Sequence, residues 1–202
     1  MTRTRTHAAA LAAVTTILAG GAAFAASDSW RREAAPEDAQ RLDRLSRAWS
    51  SGLAQAEAED PAGLRKLGAL ADPKAGLDRP QPRPGDYQCR TIKLGGKGDL
   101  PGGLTVYGWF RCRVALTRGG DLNLAKITGS QRPIGSIYPD GPRRLVYLGA
   151  VAWGDEKGPV GYRRDPERDQ VGVVERIGQN RWRLVMPFPK YESTLDLIEL
   201  KR

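Results

Sequence analysis

Histidine is almost missing from these 202 residues: one, His7, stands near the start. Beyond it there is no imidazole, which excludes Ser-His-Asp and Cys-His nucleophile systems, histidine general bases and histidine metal sites. Cysteine is nearly as scarce, and Cys89 and Cys112 alone cannot build a tetrahedral zinc site. After the first 25 residues no run is apolar enough to span a membrane, which takes roughly 20 residues. These absences leave no catalytic residue, no metal site and no cofactor to name.

What is present begins with a leader. Residues 1–7 carry Arg3 and Arg5 and no acid, an uncharged run follows to Phe24, and Ala23-Phe24-Ala25 supplies the small residues that a signal peptidase reads. Cleavage is expected after Ala25, with no cysteine near the cut to take a lipid. Loss of the leader takes the net charge from +9 to +7. The Ala, Arg, Gly and Pro bias is that of a high-GC bacterial genome, so the expected destination is the periplasm or the medium. The two cysteines fit an oxidising compartment, and one bridge between them would add about 3 kcal/mol in the chain-entropy model. A pair of buried free thiols is the alternative.

The mature chain divides by character. Leu42, Leu45, Trp49, Leu53 and Ala56 recur at helical spacing between Pro36 and Glu59, an apolar stripe on an otherwise polar helix. Pro36 suits a first turn, and Asp60 before Pro61 reads as the N-cap of a second helix carrying Leu64, Leu67 and Leu70. Prolines 73, 80, 82 and 84 then make a stiff connector. The expected parts are a leader 1–25, a helical segment 26–72, a linker 73–85 and a β domain 86–202.

After Gly85, eight short strands are expected: 86–94, 104–116, 122–128, 132–138, 143–153, 170–177, 181–188 and 194–201. Phe110, Cys112, Val114 and Leu116 oppose Trp109, Arg111 and Arg113; Trp182, Leu184, Met186 and Phe188 oppose Arg181 and Arg183. Such alternation gives each strand one buried face. If the first two strands pair, Cys89 and Cys112 meet on the inward side with Tyr87 and Thr91. The fold class is mainly β with an N-terminal α-helical segment: an eight-stranded antiparallel, calycin/lipocalin-like β-barrel, with helices across an end or a wall.

The run from Gly85 to Gly95, with Trp109-Phe110-Arg111-Cys112, Lys126 to Pro133 and Arg168-Asp169, resembles the DUF4893 family of uncharacterised exported bacterial proteins. Glu175 to Gly178, Arg181 to Leu184 and Glu192-Ser193 extend the resemblance from Trp30 to the end of the chain. It implies export, a β-rich body and two paired cysteines, and no activity. The Gly-rich insertion at 95–103 departs from it.

Two loops imitate known sites and fail. Gly95-Gly96-Lys97-Gly98 lacks the Ser or Thr and the helix of a phosphate loop. Asp165, Glu167 and Asp169 alternate like the start of a calcium loop, but Gln170 and Arg176 stand where glycine and a carboxylate are required. Paired carboxylates can catalyse without histidine, yet no spacing singles out a pair among Asp155, Glu156, Glu167, Asp169, Glu192 and Asp196. Whether any catalysis exists is left open, leaning against an enzyme.

The candidate ligand-binding residues are Lys126, Ser130, Gln131 and Arg132, joined by Arg90 and Arg168 as an anion-binding rim at the barrel mouth. The alternative is an internal network in which Arg132 or Arg168 pairs with Asp169 or Glu175. Trp109, Tyr138, Tyr147, Trp153 and Trp182 either line a cavity or fill a core. The leading function is a non-enzymatic binding module for a small amphiphilic or anionic envelope ligand. The other is a protein-interaction or inhibitor-type module in the periplasm, meeting an envelope protein through the helical segment or the Gly-rich loop. Nucleic acid is not an expected partner of an exported chain.

Overall fold

The computed structural model describes residues 29–98, 102–158 and 161–202, so the leader and the centre of the Gly-rich insertion lie outside the described residues. The helical segment comprises α1 (Ser29–Glu33), α2 (Pro36–Asp43), α3 (Leu45–Glu59) and α4 (Pro61–Leu67), followed by a 3₁₀ turn (Gly68–Ala71). Pro36 opens α2, and the Asp60 carboxylate caps α4 by accepting from the Gly63 N–H at 2.8 Å. The single helix expected from Pro36 to Glu59 breaks at Arg44. There α2 turns onto the strand wall at β7 while α3 lies against β1 and β9, so two shorter helices follow a curved surface that one straight rod would leave.

The strands are β1 (Gly85–Gly96), β2 (Leu104–Val106), β3 (Phe110–Leu116), β4 (Leu122–Lys126), β5 (Gln131–Pro139), β6 (Arg144–Trp153), β7 (Asp169–Gly178), β8 (Arg181–Pro187) and β9 (Ser193–Lys201). All nine pair antiparallel, and β9 returns to β1 to close the sheet. Because β2 pairs with β1 alone, the remaining eight form the ring, in the up-and-down order expected of a calycin-like barrel. The strand expected at 104–116 is thus two. Its first part runs along the upper half of β1 (Ile92 opposite Val106) and its second along the lower half (Tyr87 opposite Cys112), with Gly108 in the gap.

Alternation sorts the apolar side chains into two clusters. Tyr87, Val114, Leu124, Val174, Leu184 and Leu200 fill one end of the barrel interior, around Cys89 and Cys112. These two form a disulfide with Cα atoms 5.8 Å apart, both sulfurs in the core. On the outer wall, Ile92, Leu94, Leu148, Val185, Leu195 and Leu197 meet the helical segment through Trp30, Trp49, Ala56 and Leu70. Gly52 of α3 permits that contact: a Cβ there would lie 3.2 Å from the Cβ atoms of both Leu94 and Leu195. The helices cover a wall rather than an end.

Candidate functional site

At the mouth, the inward register turns polar. Thr91 and Lys93 continue the inward row of β1, Lys126 ends that of β4, Gln131 begins that of β5, and Gln170 and Asp196 lie near the starts of β7 and β9. Lys93, Lys126, Gln170 and Asp196 are all buried. Burying so many polar groups costs free energy that a structural role alone would satisfy with hydrophobic side chains of similar volume.

The Lys93 ammonium holds the acids together. It lies 2.5 Å from a Glu192 oxygen, 3.8 Å from a carboxylate oxygen of Asp196 and 3.5 Å from Gln131 Oε1. Burial alone would lower its pKa, but the charges of Asp196 and Glu192 outweigh that and raise it. Asp196 is pushed up to about 6 by burial, against the pull of Lys93 and the hydroxyl of Ser193, which donates to it. Glu192 sits in left-handed backbone, φ 68°, in the turn before β9, the strained position that presents its carboxylate over the mouth.

Lys126 is the opposite case. Its ammonium donates to the Gln131 carbonyl at 2.8 Å and lies 3.9 Å from the centre of the Phe110 ring. No carboxylate among the described residues forms an ion pair with it. Burial, reinforced by the charges of Arg132 and Lys93, pulls it down to about 8. It faces a cavity of about 110 Å³ that it shares with Lys93 and Glu192, which pair with each other, and with Thr91, Tyr107, Ser130 and Gln131. The ladder is interrupted beside it: β3 pairs with β1 only up to Cys89, and β2, which pairs with β1 from Ile92 to Leu94, has no pairing with β4 among the described residues. A smaller cavity of about 40 Å³ adjoins it, among Pro133, Trp153, Gln170, Met186 and Tyr191. Beneath, the fully buried Tyr147 hydroxyl has no hydrogen-bond partner among the described residues; it points towards Gly149, whose missing side chain leaves it room.

The sequence-predicted rim residues divide. Lys126, Ser130 and Gln131 come together at the cavity. Arg132 stays at the rim, its guanidinium tying the carbonyls of Gly129, Gly154 and Glu156. Arg168 forks onto Glu156 at 2.7 and 2.8 Å and reaches Asp165, not the Asp169 or Glu175 weighed as partners. Arg90 lies on the outer face, 2.6 Å from Glu199 and over the Trp109 ring. Of the aromatics, Trp153 lines the mouth, while Tyr147 and Trp182 are core residues. Lys93 escaped the sequence reading, although it follows Tyr87, Cys89 and Thr91 in strict alternation; a charged residue in an inward row was the available signal.

The family described as domain of unknown function DUF4893 matches residues 30–200. No curated protein and no solved structure matches the chain.

Proposed function

Because the chain belongs to the DUF4893 family, a domain of unknown function, we propose its role from its own side chains: an exported, non-enzymatic binding module whose barrel mouth takes one anionic group of a small ligand. One observation carries this: Lys126, a buried cation without a carboxylate partner, faces a cavity. A carboxylate or phosphate there would satisfy its charge, with Ser130, Thr91 and Gln131 able to supply further hydrogen bonds. The volume limits the ligand. Pockets for whole drug-sized or lipid-like ligands run to ~300–1,000 Å³, whereas about 110 Å³ admits a headgroup and no acyl chain. The interior below is occupied by the disulfide and its neighbours, so the barrel is a receptor for a ligand's end and not a container.

Binding an anion stabilises the protonated amine, so affinity for acetate or inorganic phosphate falls as pH rises through about 8, the value at which Lys126 loses its proton. The test follows the Lys126 ammonium by NMR in lysine-labelled protein while either anion is added. Its titration should move upward with saturating anion, and Lys126→Met should abolish binding with the fold intact. A Lys126 titration unmoved by both anions, or binding that persists in Lys126→Met, rejects the assignment.

A further inference from the structure

A second concave site lies at the opposite end of the barrel, and its chemistry differs. Here the connector after the 3₁₀ turn folds back beneath β7 and β8: the Leu77 N–H donates to the Arg176 carbonyl and the Arg79 N–H to that of Pro142. Between connector and barrel runs a groove of about 1,000 Å³, lined by Arg79, Arg83, Arg176 and Arg202, with Gln81 and Asn180 between them. No acid lines it.

Arg41, Arg113, Arg143, Arg144, Arg181 and Arg183 each pair with a carboxylate. None of the four in the groove forms an ion pair among the described residues. Other arginines, Arg111 and Arg132 among them, also form no ion pair among the described residues; what marks these four is that they meet in one concave site. Arg176 and Arg202 are oriented by backbone carbonyls, those of Asp78 and Pro84. The Asp78 carboxylate itself is taken by Arg143 at 3.0 Å. A surface that gathers unpaired guanidinium groups of one sign focuses its field on an anionic partner.

The connector also presents these groups in a fixed array. Pro80 and Pro82 are buried against the barrel while Arg79, Gln81 and Arg83 between them are exposed. Three prolines fix φ along Pro80–Pro84, so Arg79 and Arg83 stand about 12 Å apart at the rise of an extended proline helix. Arg79 itself is held in left-handed backbone, φ 58°, a conformation a non-glycine residue adopts at a cost. Anchoring of this kind holds the array before any ligand arrives, which lowers the ordering cost of binding.

We infer that this groove binds an acidic polysaccharide, an extended chain with anionic groups at intervals. Four cations spread along a groove of about 1,000 Å³ match a ligand that carries several anionic groups. The amide side chains of Gln81, Gln179 and Asn180 donate and accept between the charges, matching sugar hydroxyls. Gln81, Gln179 and Asn180 are exposed beside the arginines of this concave site, a mixture of neutral hydrogen-bonding groups and cations that a lipid surface or a nucleic acid duplex does not call for.

The test uses polygalacturonate oligomers, with dextran as the neutral glycan, phosphatidylglycerol vesicles and duplex DNA as the other polyanions. Polygalacturonate should bind with an affinity that falls with ionic strength, dextran should not, and vesicles and DNA should bind more weakly. Arg79→Gln with Arg83→Gln should weaken polygalacturonate about tenfold or more. Arg65→Gln with Lys66→Gln, an equal charge change on α4 far from the groove, should leave affinity unchanged. Arg202→Gln provides an independent variant outside the connector, and thermal melting verifies that each variant is folded. No binding of polygalacturonate at low salt overturns the inference, as do tighter binding of vesicles or DNA and an equal loss in the Arg65/Lys66 control. Lys126→Met should bind the glycan normally, which separates this groove from the mouth.

Discussion

Asp196 shows how much a single inward position decides. A carboxyl group at the start of β9 is buried in the barrel mouth with Ser193 as donor and Lys93 at 3.8 Å, while Glu192 adds a like charge. In the unfolded chain it releases its proton near 3.8; folded, near 6. Between those values the native state holds the extra proton, so the stability this group confers is fully present below pH 4 and is lost as pH rises through 6. The loss is of the order of 3 kcal/mol, since each tenfold change in proton affinity corresponds to about 1.4 kcal/mol. Asp196→Asn cannot titrate and keeps an acceptor for Ser193. Urea unfolding at pH 4 and pH 7 should show wild type losing that margin relative to the variant. Parallel changes in the two proteins would mean that Asp196 ionises as an ordinary surface acid. Such a residue was half legible in the sequence. Asp196 stood among the candidate acids, but what singles it out is Lys93 across the β1–β9 pairing, and that register belongs to barrel closure rather than to local pattern.

At the scale of elements, alternation placed the barrel interior well and the exterior poorly. Phe110, Cys112 and Val114 of β3 and Trp182, Leu184 and Met186 of β8 lie inward as their pattern implied, whereas Leu116 is exposed and Phe188, just past β8, packs with the helical segment; Cys89 and Cys112 meet inside as the hairpin geometry implied. Arg183, however, sat on the side of β8 that the pattern assigned to solvent, and it is fully buried. Period two separates a strand's faces without revealing what later covers the outer one, and here the helical segment does. Arg183 joins them: its guanidinium donates to the carbonyls of Ala69, Leu70 and Asp72 at 3.1, 2.9 and 2.7 Å, pairs with Glu175 and lies over the Trp49 ring. Those carbonyls end the 3₁₀ turn and have no helix continuing to receive them. Arg183→Met would strand three acceptors and a carboxylate, at a cost of about 3–5 kcal/mol. Arg183→Lys should recover little, because one ammonium cannot span the same fork. Chemical denaturation measures both, and a methionine variant as stable as wild type would reduce Arg183 to filler.

For the whole molecule, the helical segment, the connector and the barrel depend on one another, which bears on what partner surface remains. The sequence offers the helical segment as one of two surfaces through which the chain could meet an envelope protein. Its apolar stripe instead lies on the barrel wall, with Trp30, Ala48, Ala56 and Leu70 almost wholly enclosed. Deleting residues 26–84 would uncover Ile92, Leu94, Val146, Leu148, Leu195 and Leu197 together, an apolar face larger than a soluble monomer exposes. The truncated chain should therefore bind a hydrophobic dye and associate with rising concentration, while the longer protein does neither. The deletion would also take Arg79 and Arg83 from the basic groove, so lost glycan binding would carry no information unless the barrel were first shown to be folded. Light scattering decides: a monodisperse, dye-silent barrel from residue 85 onward would make the helices a separable arm and restore them as a docking surface. Association would fix them as wall, and leave the two ends of the barrel, the small mouth and the broad arginine groove, as the surfaces where the proposed ligands are to be sought.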